Sequence, residues 1–273
     1  MKNIILFIIE GAKNEEDVCA NIANVFFKNS SEVVILSLPA EMNIYMLYRI
    51  LKRDNFESDI VEILRENSNV AKDKLSSYSR GDFSQIYYFF DFDEHANNLD
   101  KQQMSNIEVL DCMLKIFDNE TENGKLYLSY PMIEALRDCA SLSCKPANGS
   151  CHINRRSFSD YKNISSASAN NNNVSKYDYL AWLNIISNFI LRIACLFQLK
   201  DINRDAFIRK IHPLAIFEEE IRLYSLEENI FIISSFPEFL IDYSGSFWHL
   251  STNIKAHLKK ANTCRSKNRK NES

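Results

Sequence analysis

The sequence predicts an α/β protein: a parallel sheet with helices on both faces, followed by a mostly helical C-terminal region. Three observations predict it. Short, continuous apolar runs alternate with segments of helical periodicity over roughly the first 140 residues, the pattern of βαβ units. Gly and Pro are scarce, at five each, which disfavours an all-β fold with many tight turns. Beyond residue 176 the periodicity is almost entirely helical.

The elements follow in order. Residues 4–9 form an Ile-rich run, read as a strand buried on both faces. Residues 15–28 carry Val18, Cys19, Ile22, Val25 and Phe26 at helical spacing, with Glu15, Glu16 and Asp17 suited to the dipole of the first turn. Residues 32–38 read as a second strand stopped by Pro39, and residues 43–66 as helix in two pieces. Residues 84–90 form a third strand whose aromatics Tyr87, Tyr88, Phe89 and Phe90 belong to a core. Residues 107–117 are a helix and 125–129 a fourth strand. Residues 131–139 then open a helix with Pro131 in its first turn. Residues 141–176 are rich in Ser and Asn, include the run 170–173, and read as a loop or insert. Helices at 177–199 and 204–226, a strand at 230–233 and a short helix at 237–243 complete the chain. The expected organisation is therefore an α/β domain over 1–140, the insert at 141–176, a helical region over 177–250 that completes the domain, and a basic tail at 251–273.

Composition narrows the function classes. The chain has 273 residues, 46% hydrophobic, which suffices for a sizeable core. A formal charge of -4 means that any surface for nucleic acid must be local. Seven scattered Cys read as reduced thiols of a cytoplasmic protein rather than a disulfide framework. The apolar run at 4–9 is too short for a signal peptide and leads directly into Glu10. The long apolar stretch at 177–200 is interrupted by Asp178, Asn184, Asn188 and Arg192, which fits a buried helix better than a membrane span.

Two features carry chemistry. Glu10 and Gly11 end the first strand, and Asp91, Phe92 and Asp93 end the third. In an open α/β sheet, ligands bind outside the carboxyl ends of the strands, near a topological switch point. Asp91 and Asp93, two apart on an extended segment, point the same way. Gly11 allows a sharp backbone turn. Converging carboxylates repel unless a cation neutralises them, and Mg²⁺ or Mn²⁺ suits hard oxygen donors and a phosphate substrate.

A hydrophobic strand ending in Glu-Gly, followed by a later one ending in Asp-x-Asp, resembles the TOPRIM domain of topoisomerases, primases and small nucleases. More narrowly, the segment EGAKNEED and the stretch LYLSYPMIEALR, residues 126–137, resemble RloB-like and OLD-type TOPRIM proteins of bacterial defence loci. The resemblance covers about residues 1–140. It implies a Mg²⁺-dependent nuclease acting on RNA or DNA. Glu10 would be acid/base or metal ligand, Asp91 and Asp93 would hold the metal, and Glu15 and Glu134 could complete the site. The alternative is a regulatory or partner-binding protein with a vestigial TOPRIM site. There is no P-loop, so any ATPase of a defence complex would be a separate chain. A D-x-D phosphatase of the haloacid-dehalogenase type is disfavoured, because its acid pair follows the first strand, where Glu10 stands here.

Other residues have two readings each. Glu15 could be a dipole complement or a ligand, and Glu134 a solvated helix residue or a ligand. His95 and Lys13 could contact phosphate or simply be solvated. The tail, with Lys259 and Lys260 among its cations, could track a nucleic-acid backbone or serve solubility. Cys139, Cys144, Cys151 and His152 are spaced off-pattern for zinc, which leaves free thiols as the default.

Overall fold

The structure is a computed structural model, and it describes residues 3–11, 13–39, 42–92, 104–141, 151–168, 173–199, 207 and 211–246. The described residues form two compact units. The first comprises the chain up to Leu128 together with Asn173–Tyr177; the second comprises the rest. The chain leaves the first unit at Leu128, earlier than the composition shift near residue 140.

The first unit contains a five-stranded sheet. Its strands are β1 (Asn3–Ile9), β2 (Ser31–Ser37), β3 (Phe83–Asp91), β4 (Asp118–Asn119) and β5 (Gly124–Ser129), in the order β2-β1-β3-β5-β4. β1 is an interior strand, parallel to both neighbours, in register Ile9 with Ser37 on one side and Ile9 with Phe89 on the other. Ile5, Leu6, Phe7, Ile8 and Ile9 are all fully buried, as a continuous apolar run requires when both faces are covered. The sheet is mixed rather than wholly parallel, because β4 and β5 are antiparallel. A local turn makes this pairing: Asn119 accepts the Thr121 amide on its side chain at 3.0 Å and the Glu122 amide on its carbonyl at 3.1 Å, folding the chain straight back. Gly124 follows at φ +106°, with its Cα packed against the Tyr88 ring, so a side chain there would be strained twice over.

The helices of this unit are α1 (Lys13–Ile22), α2 (Ile44–Lys52), α3 (Ile60–Asn67), α4 (Asn69–Lys74) and α5 (Asn106–Ile116). Their starts are written in the sequence. The side chains of Asn43, Asp59 and Ser68 accept amide protons of the first turns, and Ser105 with Glu108 forms a reciprocal capping box. α1 runs on into a π-helical turn, Ala23–Phe27. The aromatic run of β3 is core, as its sequence suggested. Phe7, Phe89 and Tyr127 pack across neighbouring strands, with ring centroids 5.4 Å (Phe7–Phe89) and 5.8 Å (Phe89–Tyr127) apart. Tyr88, on alternate parity, packs on Phe117 at 4.7 Å. The returning segment Asn173–Tyr177 is held to α1 by Asn21, whose amide donates to the Tyr177 carbonyl at 2.9 Å.

The second unit holds α6 (Ala135–Ser141), β6 (His152–Asn154), α7 (Tyr161–Ser168), α8 (Tyr179–Leu196), α9 (Pro213–Glu227), β7 (Asn229–Phe231) and α10 (Ser235–Tyr243). Three sequence expectations are corrected here. No helix starts at Pro131: Tyr130 is held extended by paired hydrogen bonds with Ile233, at 2.7 and 3.0 Å, and the helix begins only after the turn at residues 132–134. The segment 141–176 is not simply a loop. β6 pairs antiparallel with β7, and α7 is anchored through Tyr161 and Ser165 to Asp138. Those partners are distant in sequence, so local periodicity could not announce them. Third, α9 begins at Pro213 with His212 as its cap, rather than running unbroken from residue 204. α8 is the one described helix long and apolar enough to cross a membrane, but 67% of it is buried, against α6 and α10 among others.

Candidate active site

The strand order sets the site. From β1 the chain goes first to β2 on one side, then crosses to β3 on the other, so the direction of travel reverses between β1 and β3. At such a switch point the connections leave in opposite directions and open a crevice at the carboxyl ends of the strands. Glu10 follows β1 at that edge and Asp91 ends β3. Both are half-buried. The Asp91 amide donates to Glu10 Oε2 at 3.4 Å, a long bond that nevertheless fixes the two residues side by side. The carboxyl carbon of an aspartate lies within about 4 Å of its own amide nitrogen, which puts the Asp91 carboxyl within about 7 Å of Glu10 Oε2.

Gly11 has a different role from the one its sequence position suggests. Its φ lies outside the left-handed region, so no special turn demands glycine. What demands it is space: a Cβ at position 11 would occupy the volume held by the Glu15 carboxyl. Glu15, in the first turn of α1, therefore folds back over the backbone next to Glu10. Glu16, read from sequence only as a complement to the helix dipole, accepts a hydrogen bond from the Ser37 hydroxyl at the end of β2. Its signal was present in the run of acids after Gly11. Acidic side chains thus gather along the ends of three adjacent strands. On α1, burial first, and then Glu15 and Glu16 one turn back on the same helix, push the Cys19 thiol well above its usual range.

The other sequence candidates fall elsewhere. Asp93 and His95 lie outside the described residues, as do Lys259, Lys260 and Cys144. Lys13 is exposed at the start of α1. Glu134 is no solvated helix residue: it precedes α6 in the second unit and is only 3% exposed. Cys139 and Cys151 are buried, and burial raises the Cys139 thiol. Among the described residues, no three His, Cys, Asp or Glu side chains group closely enough to hold a metal ion.

The second unit contains buried polar residues that sequence reasoning missed. Asp138, 4% exposed, accepts the Tyr161 hydroxyl at 2.6 Å and the Ser165 hydroxyl at 3.2 Å. Arg192, fully buried, donates to the carbonyls of Ile232 and Asp138 at 3.0 and 3.2 Å. A lone Asp in a helix and a lone Arg in an apolar helix carry no sequence signal of their meeting. No protein-family model, curated protein or solved structure matches this chain.

Proposed function

We propose that the chain is a metal-dependent nuclease that hydrolyses RNA or DNA phosphodiesters, with a TOPRIM-like acidic centre formed by Glu10, Asp91 and Asp93. One observation carries the reading: Glu10 and Asp91 end neighbouring parallel strands at the switch point, joined by the hydrogen bond from the Asp91 amide. The donor set fits Mg²⁺ or Mn²⁺, since every candidate ligand offers carboxylate oxygen and none offers sulfur or imidazole. Asp91 and Asp93 would hold the ion, with Glu15 in reserve over Gly11. Bound there, the ion would offset charge on the phosphate and lower the pKa of a water. Glu10 moves a proton to or from the attacking or leaving oxygen. Lys13, His95, Lys259 and Lys260 are the candidate contacts for the phosphate backbone. The reading makes the protein cytoplasmic, and a bacterial defence effector that could work with a separate ATPase.

The alternative reading belongs to another class. It is a non-catalytic regulatory or partner-binding protein with a vestigial TOPRIM site. One experiment separates the two. Purified protein is incubated with total RNA and with plasmid DNA, in Mg²⁺, in Mn²⁺ or with chelator. The nuclease reading expects metal-dependent cleavage, lowered roughly 10²–10⁴-fold in Glu10→Gln with nucleic-acid binding retained. Undiminished cleavage by Glu10→Gln overturns the proton-transfer role. No cleavage by the wild type on either substrate, with candidate partner proteins added, favours the vestigial site.

A further inference from the structure

Among its described residues, the second unit buries Glu134, Asp138, Glu220 and Glu238 together with one guanidinium, that of Arg192. Glu220 stands apart among them. It lies on the inward face of α9 with 0% exposure. Its Oε2 accepts the Phe231 amide of β7 at 2.9 Å. Its Oε1 is wholly buried and has no hydrogen-bond partner among the described residues.

Among the described residues, the groups that face it do not supply a cation. On its own helix, Glu219 adds negative charge while pairing outward with Arg222 at 2.6 Å. Ahead of β6 stands the Cys151 thiol. After β5 stands the Tyr130 phenol, which also senses Glu238 of α10. Arg192 of α8 directs its two terminal nitrogens to the Ile232 and Asp138 carbonyls. An ionised carboxylate in these surroundings costs several kcal/mol, and a buried acid avoids that cost by keeping its proton.

We propose that Glu220 is held as a neutral carboxylic acid between α9 and β7, so that loss of its proton, which leaves a charge this buried site cannot solvate, destabilises the packing that holds the β6–β7 ribbon. The ribbon is a node of the unit. Next to Phe231, the Ile232 amide donates to the Cys151 carbonyl at 2.8 Å, and Ile233 pairs both ways with Tyr130. The Phe231 amide itself holds a carboxylate better than an acid, so the cost of ionisation lies at the buried Oε1, and water reaches that atom only if the segment carrying these bonds moves. Burial pushes the Glu220 carboxyl well above the usual range; the Phe231 amide opposes this and Glu219 adds to it.

The sign follows from linkage. An unfolded glutamate titrates near pH 4.3, and the folded one higher. The neutral acid therefore contributes fully below about pH 4.3, and its contribution falls as pH rises toward the folded value. Within that window the unfolding constant rises about tenfold per pH unit from this one proton.

The test is urea unfolding of the full chain between about pH 5 and 8, below the range in which free thiols titrate, for the wild type and Glu220→Gln. The Gln keeps an acceptor for the Phe231 amide and carries no titrating proton. The ratio of the wild-type unfolding constant to that of the variant is expected to climb about tenfold per pH unit; a constant ratio overturns the proposal. A second measurement needs no variant. Carbon-13 NMR of protein labelled at the glutamate carboxyls should show, at neutral pH, a resonance in the protonated position. Its absence overturns the proposal even if Glu220→Gln does not fold.

Discussion

Glu10→Gln should reverse its effect on stability according to whether a divalent cation is present. Glu10 Oε2 accepts the Asp91 amide, and the Asp91 carboxyl lies within about 7 Å of it. Two unit charges about 7 Å apart repel by about 2 kcal/mol at an effective dielectric constant of 20, and solvent screening of these half-buried groups reduces that to about 1 kcal/mol. Gln keeps the size and the acceptor for the Asp91 amide but removes the charge. In chelator, the variant should therefore melt about 2–6 °C above the wild type. In Mg²⁺ at about a hundred times its dissociation constant, the wild type should gain about 2.7 kcal/mol and the variant far less. The order of melting temperatures then inverts. The assay is thermal unfolding by circular dichroism, in EDTA and over a Mg²⁺ titration. If Glu10→Gln melts below the wild type in EDTA by the same margin as in Mg²⁺, the carboxylates neither repel nor share a cation, and the acidic-centre reasoning fails.

Two further outcomes are expected. Gly11→Ala should leave the melting temperature nearly unchanged, since the backbone there is ordinary and the displaced Glu15 carboxyl is the end of a flexible side chain; cleavage should drop to the level of Glu15→Gln in the same nuclease assay. Tyr161→Phe removes a 2.6 Å hydrogen bond to the buried Asp138 and should cost about 1–3 kcal/mol in urea unfolding, more than Ser165→Ala, whose bond is 3.2 Å.

Most of the alternation of strands and helices in the first unit was legible because those elements announce themselves locally, whereas α4 and the two-residue β4 were not read from sequence. β1 is an uninterrupted apolar run, and Asn43, Asp59 and Ser105 are cap residues placed before periodic segments. What was not legible depends on long-range pairing. β6 is three residues long and becomes a strand only because β7 lies beside it, more than seventy residues on. Pro131 suggests a helix start, but Tyr130 is held extended by Ile233, a partner no local window contains. The acidic edge was half legible. Glu10 and Asp91 could be inferred from their position at strand ends, whereas the contact of Glu15 with Gly11 depends on how the first turn of α1 folds back.

Exposure sorts the acids of this chain into two physical kinds. Glu10 and Asp91 are half-buried at the sheet edge, where they keep contact with solvent and can meet a phosphate or a cation. Asp138, Glu134, Glu220 and Glu238 are at most 4% exposed in the second unit. A fully buried acid serves by holding its neighbours: Asp138 gathers two hydroxyls and Glu220 gathers a β7 amide. Such groups stabilise only while their partners and protonation state persist, so removing one partner costs more than the net value of the bond. An acid at a functional edge behaves in the opposite way. Its charge opposes folding until a ligand arrives, so neutralising it stabilises the free protein and abolishes the ligand's effect. By that criterion Glu134→Gln should follow the buried acids: a loss of stability that Mg²⁺ does not alter would separate it from Glu10 and Asp91 and remove it from the candidate ligands.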